Sequence, residues 1–164
     1  MFGMSLSAFT AFHTVLSLIG IASGLIAIFA MLRGKFSKGW TWLFLLTTIM
    51  TSVTGYGFPA DQVLPSHIVG AISLVVLAFA LYALLGRRLK DGWRAVYVVT
   101  ASIALYLNCF VGVVQAFQKL PPLHTLAPTG AETPFVVAQL ATLLIFIVAG
   151  FLMLRRFHPA PEIV

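Results

Sequence analysis

The sequence predicts an all-α integral membrane protein: one bundle of five transmembrane helices, with the N-terminus outside and the C-terminus in the cytoplasm. Three observations predict it. Of the 164 residues, 60% are hydrophobic and only 9% are charged, against about a quarter charged in soluble domains. Apolar runs of about 20 residues, the length that crosses a bilayer, occur five times. The cations fall almost wholly on alternate connections between those runs.

The first span covers residues 8–32 and stops at Arg33-Gly34-Lys35. It lacks the positive leader and small-residue cleavage pattern of a secretory signal, so it is expected to stay as a helix. The second covers 40–57 and stops at Phe58-Pro59. Thr47, Thr48, Thr51, Ser52 and Thr54 make it the least apolar, but hydroxyls can bond to carbonyls of their own helix. The third covers 66–85 and stops at Gly86-Arg87-Arg88. The fourth covers 93–117 and stops at Gln118-Lys119-Leu120-Pro121-Pro122. The fifth covers 134–154 and stops at Arg155-Arg156. Short connections make consecutive helices antiparallel neighbours, so the chain forms a single domain over 1–164.

Charge sets the orientation. Arg33, Lys35, Lys38, Arg87, Arg88, Lys90, Arg94, Arg155 and Arg156 lie on one side, and Lys119 alone on the other. The basic side is expected in the cytoplasm, with Trp40, Trp42 and Trp93 beside it as interface anchors. The high pI follows from these basic loops and does not point to nucleic acid. A single cysteine, Cys109, excludes an intramolecular disulfide and any CxxC motif; its expected role is packing.

Membrane helices associate through small residues and interhelical hydrogen bonds. The expected seams are His13, Ser17, Gly20 and Gly24 in the first helix, and His67, Ala71, Ala78 and Tyr82 in the third. In the fourth they are Tyr97, Ala101, Ala104, Asn108, Gly112 and Gln115; in the fifth, Gln139, Thr142, Phe146 and Ala149. The longer polar side chains lie toward the outer ends of their spans. His13, Thr51, Thr54, Tyr56, His67, Asn108, Gln115 and Gln139 are therefore expected to line a polar pocket in the outer half. Asp61, His124 and Glu132 fall in the outer loops. Polar groups within a membrane are costly and tend to mark function.

The stretches Phe12-His13-Thr14, Thr51-Ser52-Val53-Thr54-Gly55, Pro65-Ser66-His67-Ile68-Val69-Gly70 and Leu105-Tyr106-Leu107-Asn108 resemble small bacterial multi-pass membrane proteins of unassigned function. So do Val114-Gln115-Ala116-Phe117-Gln118-Lys119 and Leu126-Ala127-Pro128. The resemblance implies the bacterial inner membrane and carries no activity or ligand.

Function stays between classes. One reading is an accessory, transport or ligand-binding protein whose partners are the bilayer and a small molecule, quinone or lipid, with association of like chains open. Breaks at Gly55-Tyr56-Gly57, Pro59 and Pro65 would suit a cavity, although no charged side chain lies mid-span to form an ion pathway. The alternative is a redox protein holding haem or a metal ion between His13 and His67, since neutral imidazole is a common ligand of both. No nucleophile–base pair or other catalytic motif is present, which argues against an enzyme.

Overall fold

A computed structural model describes residues 3–60, 62 and 64–159; Asp61 lies outside them. Among the described residues every regular element is helical. They are α1 (Leu6–Leu32), α2 (Lys38–Gly55), α3 (Pro65–Leu81, continued by a π turn over Tyr82–Gly86), α4 (Trp93–Lys119), α5 (Pro121–His124) and α6 (Thr133–Arg156). The five long helices follow the expected runs within a few residues. The single turn α5, started by Pro121, is an addition within the longest connection.

Local chemistry sets the helix ends. Ser5 Oγ accepts from the Ala8 N–H at the start of α1. At its end Gly34 takes a left-handed φ of 73°, and Lys35 N–H donates back to Ala30 O. This closing turn satisfies the last carbonyls and suits glycine. Proline opens α3 and α6, where its missing N–H costs nothing. The connection from α3 to α4 places Arg88, Leu89 and Asp91 at φ of 47°, 55° and 52°. Leu89 is buried there, so a tight reversal inserts an apolar side chain into the core.

Each helix packs on the next: α1 on α2, α2 on α3, α3 on α4, α4 on α6. The ring closes through α6 on α1, and α4 also touches α1. The core includes Met31, Phe44, Leu45, Leu77, Leu84, Tyr97, Leu105, Met153 and Phe157, and Cys109 packs on it from one side. Arg94 Nη1 donates to Leu154 O at 3.0 Å and Phe157 O at 2.7 Å, tying the start of α4 to the end of α6.

Large apolar side chains cover the outside, among them Leu18, Leu46, Val75, Leu144 and Ile145. Four helices, Leu6–Leu32, Pro65–Gly86, Trp93–Lys119 and Thr133–Arg156, are long and apolar enough to cross a membrane. They fit a multi-pass membrane protein. The second helix falls short of that apolar character, and its faces explain why. Thr41, Thr47, Thr48, Thr51, Ser52 and Thr54 are all buried. Leu43, Leu46, Met50 and Val53, spaced three and four apart on the other side, are exposed. All these hydroxyls point into the bundle beside Phe44 and Leu45, and the outward face is apolar, the reverse of a helix on a water-soluble core.

The seams hold for α1 and α6, and for α4 as far as Gly112, with Gln115 exposed. Gly20 and Gly24 are buried, as are Tyr97, Ala101 and Ala104. Gln139, Thr142, Phe146 and Ala149 are half-buried on the least covered helix. The α3 seam requires correction: Ala71, Ala78 and Tyr82 are exposed, and the buried stripe is Ser73, Leu77, Ala80 and Leu84. Here van der Waals filling by leucine outweighs close backbone approach by alanine, since both stabilise helix pairs in lipid.

Candidate functional site

Where α1 and α2 meet at the end away from the basic loops, His13 Nδ1 lies 2.9 Å from Thr54 Oγ1. The Thr54 hydroxyl sends its only proton to Met50 O at 2.7 Å, with Thr51 O at 3.2 Å. With that proton on Met50 O, the oxygen accepts from His13 Nδ1–H, the tautomer this hydrogen-bond pattern favours. In the neutral ring Nε2 is then an acceptor, and among the described residues no hydrogen bond reaches it. Phe58 stands edge-on to the imidazole, with centroids 5.2 Å apart, and Phe9 packs on Phe58 at 4.9 Å. Gly57 makes room: a Cβ there would fall 2.7 Å from Phe9. Thr51, one turn along α2, is buried with Oγ1 unpartnered.

Deeper in the bundle Asn108 Nδ2 donates to Thr48 Oγ1 at 3.1 Å, linking α4 to α2. Gly20 of α1 lies over this bond: its absent Cβ would be 3.3 Å from Asn108 Nδ2, Thr47 Oγ1 and Thr48 Oγ1 alike. On the other flank of α2, Ser52 Oγ donates to Ser73 Oγ at 3.1 Å. These contacts form a polar seam along α2.

The remaining candidates lie apart from it. Tyr56 stacks on His67 with centroids 5.3 Å apart, and its hydroxyl donates to His67 O at 2.7 Å. His67 Nδ1 accepts from the Leu64 N–H at 3.2 Å, a capping role at the start of α3. Gln139 Nε2 donates to Phe110 O at 3.2 Å, joining α6 to α4, while its Oε1 is buried without a partner. Gln115 is exposed. The expectation of one pocket lined by all eight residues is corrected accordingly. His13, Thr54 and Thr51 adjoin, and Asn108 lies deeper on the same seam. Tyr56 and His67 form a pair of their own, Gln139 serves another interface, and Gln115 turns away because its stripe on α4 leaves the bundle near the helix end.

The two histidines have separate partners: His13 bonds Thr54 of α2, and His67 stacks on Tyr56, the residue just past the end of that helix. Among the described residues no group of three His, Cys, Asp or Glu is placed to hold a metal ion. His124 is exposed, as is His158.

Sequence reasoning missed Thr48, the hydrogen-bond partner of Asn108, and the aromatic wall of Phe9 and Phe58. The signal for Thr48 was its place one and two turns before Thr51 and Thr54 on a hydroxyl-rich face. No sequence signal marked Phe58, which lies beyond the helix end.

At the same end of the bundle Glu132 opens α6. Desolvation acts to raise its pKa, but donation from the Thr129 N–H and hydroxyl, its own N–H and the Ala131 N–H outweighs this and lowers it to about 2. The contacts are 2.9 Å from Thr129 Oγ1, 3.0 Å from Thr129 N and 3.1 Å from Ala131 N.

No protein family, curated protein or solved structure matches this chain.

Proposed function

We propose that the chain is a five-span protein of the bacterial inner membrane, N-terminus outside and C-terminus cytoplasmic, that binds a hydroxyl-bearing amphiphile such as a quinol at His13. The inverted faces of α2 carry the reading. A helix whose hydroxyls are buried while Leu43, Leu46, Met50 and Val53 are exposed is suited to lipid even though its composition is mixed, because hydroxyls turned inward are kept from hydrocarbon and can bond to carbonyls of their own helix or to neighbouring side chains. The nine cations at one end support the orientation.

The same inversion supports the site. His13 is half-buried, its Nδ1 is engaged by Thr54, and Nε2 offers a lone pair beside an aromatic wall. A group that donates an O–H and carries a flat or apolar body complements that set.

Reporter fusions after Lys38 and Lys90 should register cytoplasm, and one after Ala127 the exterior. For the site, a short-chain benzoquinol and the matching quinone are titrated into the detergent-purified protein. The quinol should bind more tightly, because only it donates to Nε2, and both His13→Ala and Thr54→Val should weaken it. Equal binding of the two forms, or quinol binding unchanged in both variants, refutes the site and leaves the topology standing on the fusions.

A further inference from the structure

A second site lies at the basic end, away from His13. Between α4 and α6 the surface carries an apolar groove of about 330 Å³, walled by Val99, Ile103, Phe146, Phe151 and Leu154, among others, and reaching Ser102 and Gly150. Of the two hydroxyl residues in its lining, Ser102 and Tyr106, Ser102 is committed, because its Oγ donates to Val98 O at 2.6 Å. The other lining residues carry no polar side-chain group, so the groove offers a ligand mainly apolar contact. Gly150 keeps it deep, since its absent Cβ would have Ser102 Oγ no nearer than 4.0 Å.

Two features identify the occupant. Along α6 the lining runs from Leu143 to Leu154, about 16 Å at the helical rise, close to the roughly 15 Å of one leaflet's hydrocarbon. At the basic end the Arg155 guanidinium rests 4.2 Å above the ring of Phe151, itself a wall residue, and Arg156 follows. Among the described residues no carboxylate pairs with either arginine. An apolar slot one leaflet long with a guanidinium at its mouth matches an acyl chain carrying an anionic headgroup. Basic pockets between transmembrane helices bind such headgroups.

We infer that the α4–α6 groove is a binding site for an anionic phospholipid, with one acyl chain along Gly150 and the phosphate on Arg155. The inference rests on the membrane-spanning reading but not on the His13 site.

The test is native mass spectrometry of the delipidated full-length protein, titrated with phosphatidylglycerol or with phosphatidylcholine of the same acyl chains. Phosphatidylglycerol should bind the wild type more tightly. Arg155→Gln should weaken it by roughly fivefold, the scale of one surface cation facing anionic lipid. Gly150→Leu should abolish it by filling the slot. If that variant does not fold, Ile103→Trp, which fills the groove from an exposed position, takes its place. Inorganic phosphate alone should fail to displace the lipid. Equal binding of the two lipids, loss of binding to phosphate alone, or binding that survives both the filled slot and the arginine change would overturn the site.

Discussion

The closest approach in the bundle is at Gly24, and it sets a quantitative test. A Cβ placed there would lie 2.6 Å from Leu105 Cδ1, 2.7 Å from Phe44 Cδ2 and 3.0 Å from Leu105 Cδ2. Carbon atoms in contact prefer about 3.5–4.0 Å, so Gly24→Ala requires a displacement of about 1 Å. Neither neighbour can swing aside easily, as Leu105 is 0% and Phe44 2% exposed. Overpacking of this kind costs about 1–3 kcal/mol. Alanine also favours the helix over glycine by about 1 kcal/mol, so the comparison must cancel that gain. Gly112→Ala does so: it lies in the same type of helix, and its Cβ would meet Ile21 Cδ1 at an ordinary 3.4 Å. Unfolding in mixed detergent should show Gly24→Ala less stable than Gly112→Ala by about 1–3 kcal/mol. Leu105→Ala alone should cost about 2–5 kcal/mol, but in the Gly24→Ala background less, because the cavity receives the new methyl. Equal stability of the two alanine variants, or strictly additive effects in the double mutant, would show that α1 and α4 do not meet in this way.

Three further outcomes follow from other contacts. Removing either partner of Asn108–Thr48, by Asn108→Leu or Thr48→Val, should reveal a coupling of about 0.6 kcal/mol in a double-mutant cycle; zero coupling would remove that bond. Arg94→Ala should free the end of α6, with a loss of about 1.5–3 kcal/mol for its charged hydrogen bonds, read as faster amide exchange near Phe157. Glu132 has a lowered folded-state pKa, so its contribution is complete above the unfolded value of about 4.3 and fades as pH falls through about 2. The Thr129 and Ala131 amide shifts should titrate with that low midpoint, and a midpoint near 4.3 would contradict the hydrogen bonds.

Much of this architecture was legible because a bilayer imposes coarse rules. Span lengths, basic turns and the Gly20–Gly24 seam all follow from chain chemistry that neighbouring helices do not alter. The α3 seam was not legible, because alanines at helical spacing look alike on either face, and only Leu77 and Leu84 packing into the ring decides between them. The polar residues were visible as a set at one end. How they pair was not, since pairing depends on how each helix rotates: His13 and Thr54 face each other, while Gln115, on the same α4 stripe as Asn108, has rotated out. The histidine pair illustrates the limit, for shared depth says nothing about which neighbour each ring takes, Thr54 for His13 and Tyr56 for His67.

The inverted faces of α2 bear on how the protein is made. A segment with six buried hydroxyl residues enters hydrocarbon poorly by itself, because alone it would expose that face to lipid. Its entry is favourable once α1 already supplies His13, Gly20 and Gly24 as a surface to meet. On the proposed five-span reading, the first two helices should therefore partition into the bilayer as one hairpin, and the order of synthesis, with α1 emerging first, provides the template before the less apolar helix leaves the ribosome.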